Sequence, residues 1–191
     1  MRLQNKVAIV TGSGRGLGES IATRFAAEGA AVLVTDIDQG AAQAVANGIN
    51  TAGGRALAIP CDVTDAKSVQ AMVATARNAF GPIGILVNCA GGSARDKASM
   101  FHESTEEVWD EVISRNLKSA LICTRAVVNE MIAQRGGRII NFSAGSALDG
   151  QPGLADYSAA KAGVIGFTKA LARELGSYGV LLHKSHEGFI L

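Results

Sequence analysis

A glycine-rich turn near the start of the chain has the residue types that hold phosphate groups. Residues 11–18 read TGSGRGLG, follow a short apolar run and lead directly into a helical pattern. Glycines in such a turn permit positive φ and let the backbone approach a pyrophosphate, while free N–H groups of the following helix face it. The spacing is T-G-x-x-x-G-x-G and not the more common G-x-G-x-x-G. We therefore predict a phosphate site at residues 11–18.

Asp36 ends the second predicted strand, about 20 residues beyond the glycines. A carboxylate there accepts from both hydroxyls of an adenosine ribose and repels the additional phosphate of NADP. Ile37 offers no compensating cation, whereas Arg15 in the turn can reach a 2′-phosphate. We give Asp36 more weight, because phosphate beside carboxylate is the larger penalty. NAD(H) is therefore favoured, and NADP(H) stays open through Arg15. A turn-capping aspartate and a solvated arginine are the non-functional alternatives.

Tyr157 and Lys161 are four residues apart in a segment with helical period, so both are expected on one helix face. A phenol titrates at about pH 10, and a neighbouring cation lowers that pKa by favouring the phenolate. Such a pair can donate and accept a proton near neutrality. The same spacing occurs by chance on many helices, so the pair gains weight only together with the glycine turn.

Five motifs in chain order resemble those of the short-chain dehydrogenase/reductase family, and the resemblance extends to about Val180. In Asn88-Cys89-Ala90-Gly91, Cys89 replaces the second asparagine of the family's N-N-A-G. The pattern is similar to that of 3-oxoacyl-acyl-carrier-protein reductases. The other motifs are the glycine turn, Cys61-Asp62-Val63, Arg115-Asn116-Leu117 and Tyr157-x-x-x-Lys161.

The resemblance implies a role for each matching residue. Tyr157 exchanges a proton with the substrate oxygen while hydride moves between a carbinol carbon and a nicotinamide ring. Lys161 lowers the pKa of Tyr157 and binds the nicotinamide ribose, Asn116 anchors a relay water, and Asp62 accepts from the adenine amino group. No metal ion is expected. The implied cofactor-binding residues are Gly12, Arg15, Gly16, Leu17, Gly18, Asp36, Ile37, Asp62, Val63, Asn88, Ala90, Gly91, Tyr157 and Lys161.

Ala144 departs from the family pattern, which carries a serine thirteen positions before the tyrosine to donate to the substrate oxygen. Ser143 lies one residue earlier and Ser146 two residues later. Because alternate strand residues point to opposite sides, Ser143 needs a local bulge to reach the substrate, whereas Ser146 needs a favourable loop. We interpret Ser143 as a partial replacement and include it among the catalytic residues with Asn116, Tyr157 and Lys161.

The tail at residues 181–191 is the second departure. The family continues after Val180 with a buried sixth strand, a Pro-Gly turn, a substrate-covering segment and a seventh strand. Here the polar cluster around His183 and His186 suits a buried strand poorly, so we predict that the C-terminal strand and lid are missing or altered. Gly188-Phe189-Ile190 could match the residues after the family's proline. The two histidines permit a metal pair, but surface positions on a frayed end are the favoured interpretation.

Short apolar runs alternate five times with helical patterns, which predicts a parallel sheet covered by helices. The fold class is therefore α/β, a Rossmann-type doubly wound sheet in three α/β/α layers, with residues 1–191 as one domain. The predicted strands are Val7–Thr11, Ala31–Asp36, Ala56–Pro60, Ile85–Asn88 and Arg138–Phe142.

The composition limits the kinds of partner that the protein is expected to bind. Eighteen basic and seventeen acidic side chains nearly cancel, so neither nucleic acid nor a membrane surface is expected to bind, and a small-molecule substrate is favoured. Three cysteines without close pairing indicate a reduced, cytoplasmic environment. The resemblance also implies a homodimer or homotetramer that pairs through the helices at residues 105–134 and 154–175.

The residues and the resemblance together predict an NAD(H)-dependent oxidoreductase that interconverts a secondary alcohol and a ketone. Family resemblance favours small cyclic or aliphatic alcohols, sugars or 3-oxoacyl thioesters as substrates. The alternative is a nucleotide-binding protein with little or no turnover, because Ala144 and the tail weaken the substrate half of the site. A third interpretation is a subunit completed by partner chains, since a missing edge strand leaves backbone groups open to pairing.

Overall fold

The computed structural model describes residues 1–187, and the central feature of this part of the chain is a six-stranded parallel sheet. Its strand order is β3-β2-β1-β4-β5-β6, as in a Rossmann fold, which confirms the predicted fold class. The third and fifth strands are slightly longer than predicted. The strands are β1 (Val7–Thr11), β2 (Ala31–Asp36), β3 (Arg55–Pro60), β4 (Ile85–Asn88), β5 (Gly137–Ala144) and β6 (Val180–Glu187).

Helices cover both faces of the sheet. Alternating side chains of β1 separate two cores: Ala8 and Val10 pack toward α1 and α2, whereas Val7 and Ile9 pack toward α3, α5 and the end of α7. Both sets are buried, which explains why the inner strands read as continuous apolar runs. The helices are α1 (Gly16–Ala27), α2 (Gln39–Thr51), α3 (Ala66–Phe80), α4 (Glu106–Ile113), α5 (Ser119–Ala133), α6 (Ser146–Asp149) and α7 (Ala155–Leu175).

The strand order reverses between β1 and β4, and this reversal creates the crevice in which such folds bind ligands. Thr11 joins the two strands there: its hydroxyl donates to Val87 O at 3.3 Å and accepts from the N–H groups of Cys89 and Ala90, each at 3.1 Å. The turn after β1 and the segment after β4 are therefore held side by side.

The sixth strand is present, so the prediction that the C-terminal strand and lid are missing or altered is wrong as far as a missing sixth strand is concerned, and its statement on the lid stays a prediction. β6 pairs in parallel with β5 from Gly137 opposite Val180 to Ala144 opposite Glu187. Within residues 1–187 it is an edge strand, and its ladder to β5 comes from backbone groups, which tolerate polar side chains. Of the β6 side chains at residues 180–185, whose burial the structure describes, only Val180 is fully buried, and Leu181 is half exposed. The predicted match at Gly188-Phe189-Ile190 lies outside the described residues.

No helix within residues 1–187 combines the length and apolar character needed to cross a membrane.

Candidate active site

The glycine turn is shaped by two close backbone approaches. Gly12 has φ of +64°, and a Cβ there would lie 2.7 Å from Ala90 Cα. A Cβ on Gly18 would lie 2.2 Å from Gly12 O, so α1 can begin this close to β1 only without a side chain at position 18. Arg15, the residue that caps α1, makes no side-chain bond to the helix amides. The first N–H groups of α1 are thus available to an anion, and the cradle fits a phosphate group.

Asp36 holds the turn from the end of β2. It is 9% exposed, and its Oδ2 accepts from Gly14 N at 3.0 Å while its Oδ1 accepts from Asp38 N at 3.1 Å. Each carboxylate oxygen has a further lone pair, so these bonds leave acceptor capacity for a ligand hydroxyl. The carboxylate therefore both shapes the turn and borders the crevice.

The crevice at the carboxyl ends of β1, β2, β3 and β4 is a cleft of about 680 Å³. It brings together most of the residues that the sequence assigned to cofactor binding. Those that line it are Gly12, Arg15, Leu17, Gly18, Asp36, Ile37, Asp62, Val63, Ala90 and Gly91.

Gly16, Asn88, Tyr157 and Lys161 are not among the residues that line the cleft. Gly16 borders a shallow surface groove along α1 instead. Asn88 has a buried side chain whose Nδ2 donates to Asn141 Oδ1 at 2.8 Å and Thr124 Oγ1 at 3.2 Å, and its contact with the cofactor stays a prediction. The amide thus joins β4 to β5 and α5, and its Oδ1 has no hydrogen-bond partner among the described residues.

Sequence reasoning missed several residues of the cleft wall. Thr64 follows the Cys-Asp-Val motif directly, and Asp62 Oδ1 accepts from its N–H at 2.9 Å and from its hydroxyl at 2.7 Å. Glu111 and Ser114 also line the cleft, and their position five and two residues before Asn116 was the available signal.

Two charge effects act along this wall. A hydrogen bond from Lys97, at 2.6 Å, lowers the pKa of the Glu111 carboxyl, and Arg115 also pairs with this group. Glu111 is therefore ionised near neutrality and neutralised by two cations. Burial raises the pKa of the Cys61 thiol above its ordinary value of 9.0, so Cys61 is a neutral, poorly nucleophilic part of the cleft.

Asn116 fastens the segment after β4 to the helices beside it. It lies in a π-helical turn, Ser114–Lys118, between α4 and α5, a geometry that is frequent at functional sites. Its Oδ1 accepts from Gly92 N at 3.1 Å, and its Nδ2 donates to Gly92 O at 2.8 Å and Val112 O at 2.9 Å. A Cβ on Gly91 would lie 2.6 Å from Asn116 Oδ1, so this packing requires glycine.

Tyr157 and Lys161 lie in the first two turns of α7. Lys161 is almost fully buried, its Nζ donates to Phe142 O at 3.0 Å, and the same Nζ is 5.7 Å from the centre of the Tyr157 ring. A Cβ on Gly91 would be 3.4 Å from Lys161 Nζ. The ammonium group therefore lies between the phenol and the end of the cleft, and it joins the two halves of the predicted site.

The serines near Ala144 are placed differently from the expectation. The Ser143 hydroxyl is fully buried and donates to Lys161 O at 2.9 Å, so it is directed at α7 and is no longer assigned as the substrate donor. No bulge turns it around, because β5 pairs regularly with β6 past this residue. Ser146 begins α6, and its buried hydroxyl has no hydrogen-bond partner among the described residues.

Comparisons with known proteins agree with this geometry. A family model described as short chain dehydrogenase matches residues 6–190. The chain is 46% identical over 187 residues to the short-chain reductase protein NovJ of Streptomyces niveus, covering 98% of this chain and 70% of that protein. It is 40% identical over 190 residues to the 3-oxoacyl-[acyl-carrier-protein] reductase FabG of Escherichia coli, covering 100% of this chain and 75% of that protein.

A solved structure gives the same result. The crystal structure of a metagenomic short-chain oxidoreductase in complex with NADP superposes with a TM-score of 0.93 at 32% identity, covering 100% of this chain and 85% of the other. The chain therefore belongs to the short-chain dehydrogenase/reductase family of oxidoreductases, as the motifs indicated.

Proposed function

We propose that this protein transfers hydride between a nicotinamide dinucleotide and a secondary alcohol or ketone. The observation that carries the proposal is the position of Lys161, whose ammonium group lies beside Tyr157 and next to Gly91 at the cofactor cleft. A bound nicotinamide dinucleotide would supply or accept the hydride. The chain itself binds the dinucleotide phosphates at the glycine turn and controls the proton at the Tyr157 hydroxyl.

The proton chemistry follows from the burial of the lysine. A cation near the phenol favours its ionised form, so Tyr157 can give its proton to a ketone oxygen or take one from an alcohol. Lys161 would also bind the ribose hydroxyls beside the nicotinamide. Asn116 uses its side chain to hold the Gly91–Gly92 segment and would anchor the relay water through its backbone.

Ser146 is our candidate for the donor missing at Ala144. A buried hydroxyl without a partner calls for an explanation, and a ligand oxygen is one. The residue follows the carboxyl end of β5, at the edge of the sheet where substrates bind in such folds. It therefore replaces Ser143 in this role.

The experiment measures NADH and NADPH oxidation with ketones that include a 3-oxoacyl thioester, the substrate class named for the similar FabG reductases. Tyr157→Phe keeps the ring and removes the exchangeable proton. We expect turnover by the parent and a loss of about 10² to 10⁴ in kcat for the variant, with cofactor binding retained. Equal rates for parent and variant would reject the role of Tyr157.

We infer a preference for NAD(H) from Asp36, which is fixed by Gly14 and Asp38 at the cleft wall. A 2′-phosphate would meet this carboxylate, with Arg15 as the opposing attraction. NADP in the similar metagenomic enzyme argues for the other cofactor. Asp36→Asn should therefore raise kcat/KM for NADPH relative to NADH, and Arg15→Gln should lower it. A parent that prefers NADPH would overturn the inference.

A nucleotide-binding protein with little turnover is the second candidate, and Ala144 favours it. Saturable NADH binding in calorimetry, with no oxidation over the ketone panel, would support this candidate over the enzyme. The third interpretation, a subunit completed by partner strands, now concerns β6, because β6 covers β5 and is itself the edge strand within residues 1–187.

We also propose that the chain self-associates through α4, α5 and α7, the helices predicted for pairing. Ile113 and Leu121 are 41% and 40% exposed there, and Leu121 borders a groove between α3 and α5. Analytical ultracentrifugation should show a dimer or tetramer. Leu121→Glu should dissociate it, whereas the exposed Leu57→Glu on β3 should not. A monomeric parent would contradict the proposal.

A further inference from the structure

Lys161 is held by β5 at both ends. Its backbone carbonyl accepts from the Ser143 hydroxyl at 2.9 Å, and its ammonium group donates to the backbone carbonyl of Phe142 at 3.0 Å. Phe142 and Ser143, which are consecutive in β5, thus contact the ammonium group and the backbone carbonyl of the same lysine. The proposed reaction gives Ser143 no other role, although its hydroxyl is fully buried.

The strand geometry explains why Ser143 reaches the helix. Residues two apart on a strand point to the same side, so Asn141 and Ser143 share one face of β5. Asn141 Nδ2 donates to Thr168 Oγ1 at 2.9 Å, two helical turns beyond Lys161. Side chains of β5 therefore make two bonds to α7, one at the lysine and one well away from it.

The bond from Ser143 to Lys161 O constrains the turn of α7 that carries the proposed proton-transfer pair, Tyr157 and Lys161. A carbonyl oxygen has two lone pairs, so it can accept from the serine hydroxyl as well as from a helical N–H. The four-carbon stem of lysine is flexible, and the position of its ammonium group depends on how firmly both ends are held. Loss of the serine hydroxyl removes the bond that holds the backbone carbonyl of Lys161 to β5.

We propose that Ser143 is a positioning residue, which fixes Lys161 against β5 and so keeps its ammonium group between Tyr157 and Gly91. The inference rests on the proposed function, because the ammonium position matters only if Tyr157 transfers a proton. Ser143 touches neither substrate nor cofactor in this role. It acts through Lys161.

Ser143→Thr and Ser143→Val test this role, because threonine and valine have the same shape and only threonine keeps the hydroxyl. The chain has two tyrosines, Tyr157 and Tyr178, so a Tyr178→Phe background leaves Tyr157 as the only phenol. Tyrosinate absorbance against pH then reports the Tyr157 pKa without any turnover. The pH profile of alcohol oxidation reports the same group in the working enzyme.

With valine, the cation is held less firmly, the phenolate is stabilised less, and the pKa of Tyr157 should move upward. We expect a rise of about 0.5 to 1 pH unit, which lowers alcohol oxidation roughly three- to tenfold below that pKa. Threonine should keep the parent value. Ser143→Ala adds no atoms and provides the same comparison with the parent if the larger side chains prevent folding.

Thr168→Val is the matched control, since it removes the other bond that a β5 side chain makes to α7. It should lower thermal stability and leave the Tyr157 titration unchanged. The remaining ionisable groups on α7 and the elements packed against it stay constant in all variants. They include Glu106, Glu107, Asp110, Glu111, Arg115, Lys118, Arg138, Asp149, Asp156, Lys169, Arg173, Glu174, His183 and Lys184.

Identical Tyr157 titrations for the threonine, valine and alanine variants would overturn the positioning role. A shift produced equally by Thr168→Val would also overturn it, because the effect would then be general loosening of α7. Failure of the proposed function has a different signature. In that case the titration shifts as expected, but the parent oxidises no alcohol and reduces no ketone.

Discussion

At the residue scale, three positions near the serine that the family carries, Ser143, Ala144 and Ser146, differ in what their side chains contact. Ala144 supplies no donor, the Ser143 hydroxyl is used by Lys161 O, and the Ser146 hydroxyl is buried without a partner among the described residues. A hydroxyl already committed to a helix carbonyl must break that bond to serve a substrate. Ser146 has no such bond to break, which makes it the stronger candidate.

Ser146→Ala should therefore lower kcat for ketone reduction by about 10² to 10³, the usual cost of losing an oxyanion donor. The KM for the nicotinamide cofactor should change little, because Ser146 does not line the dinucleotide cleft. Steady-state kinetics with both substrates varied will separate the two effects. Ala144→Ser provides the control, since it restores the family's hydroxyl and should recover activity in the Ser146→Ala background. Unchanged turnover in Ser146→Ala would eliminate this serine as donor.

At the element scale, the junction of β1 and α1 is the most constrained part of the cofactor site. The helix starts so close to β1 that position 18 has no room for a Cβ. Asp36 then fixes the middle of the turn through Gly14. These contacts hold the backbone of the cradle in place, which should reduce the ordering cost of binding.

Gly18→Ala should weaken NADH binding and destabilise the fold by about 1 to 3 kcal/mol, because its Cβ displaces the backbone of Gly12. Gly48→Ala is the matched control within α2, where a Cβ meets nothing within 4 Å. That control should be neutral or stabilising by about 1 kcal/mol, since alanine favours the helix. Chemical denaturation and NADH titration measure both quantities. Equal effects from the two variants would contradict the close approach.

Glu28, at the end of α1, predicts a pH-dependent contribution to stability. Hydrogen bonds from Arg2, at 3.0 Å to the backbone N–H and 3.1 Å to the guanidinium, lower the pKa of this carboxyl from 4.5 to about 2. A carboxyl whose pKa is lowered in the folded protein stabilises the fold at pH values above its ordinary pKa of 4.5. This contribution disappears as the pH falls through the folded-state pKa of about 2.

Glu28→Gln should therefore be less stable than the parent above about pH 4.5, and the two unfolding curves should converge as the pH approaches 2. Arg24, which pairs with Glu28 at 2.7 Å, adds to the same effect. Urea denaturation at several pH values measures the difference. A gap that stays constant down to pH 2 would show that the amide substitution acts through packing and not through charge.

The edge strand β6 was not predicted from the pattern of apolar residues along the chain. An inner parallel strand is buried on both faces and reads as an apolar run, as Val7–Thr11 does. β6 has one neighbouring strand within residues 1–187, and its residues after Leu182 are polar and exposed up to Lys184. Its backbone ladder to β5 runs from Val180 to Glu187 and continues past the last apolar side chain, so the apolar pattern does not mark its extent.

At the scale of the whole molecule, the reversal of strand order positions the cofactor half and the chemical half around one crevice. The two halves come from distant parts of the chain, the turn at residues 11–18 and the helix that carries Tyr157 and Lys161. The segment after β4 lies next to both, since Ala90 packs against Gly12 and Gly91 lies beside Lys161 Nζ. Ligand binding in this crevice should therefore stabilise the entire fold.

NADH at a concentration 100 times its dissociation constant should add about 2.7 kcal/mol to the stability of the folded protein. For a chain of this size, that corresponds to a rise in Tm of roughly 5 to 10 °C. Thermal unfolding with NADH, NADPH and ADP-ribose measures the rise in Tm. The rise with ADP-ribose shows how much of the stabilisation comes from the adenosine half of the cofactor. Gly18→Ala should lose most of the shift. An equal shift in that variant would place the ligand elsewhere.

The sequence alone determined the order of strands and helices, the glycine turn, the acidic end of β2 and the Tyr157 and Lys161 pair. These features depend on local spacing and periodicity, which the chain carries without reference to distant residues. The tertiary structure decided where Ser143 and Asn88 direct their polar groups, and that β6 completes the described sheet. Those outcomes depend on partners far along the chain, because a side chain's hydrogen bond and an edge strand's ladder exist only once the neighbouring element is in place.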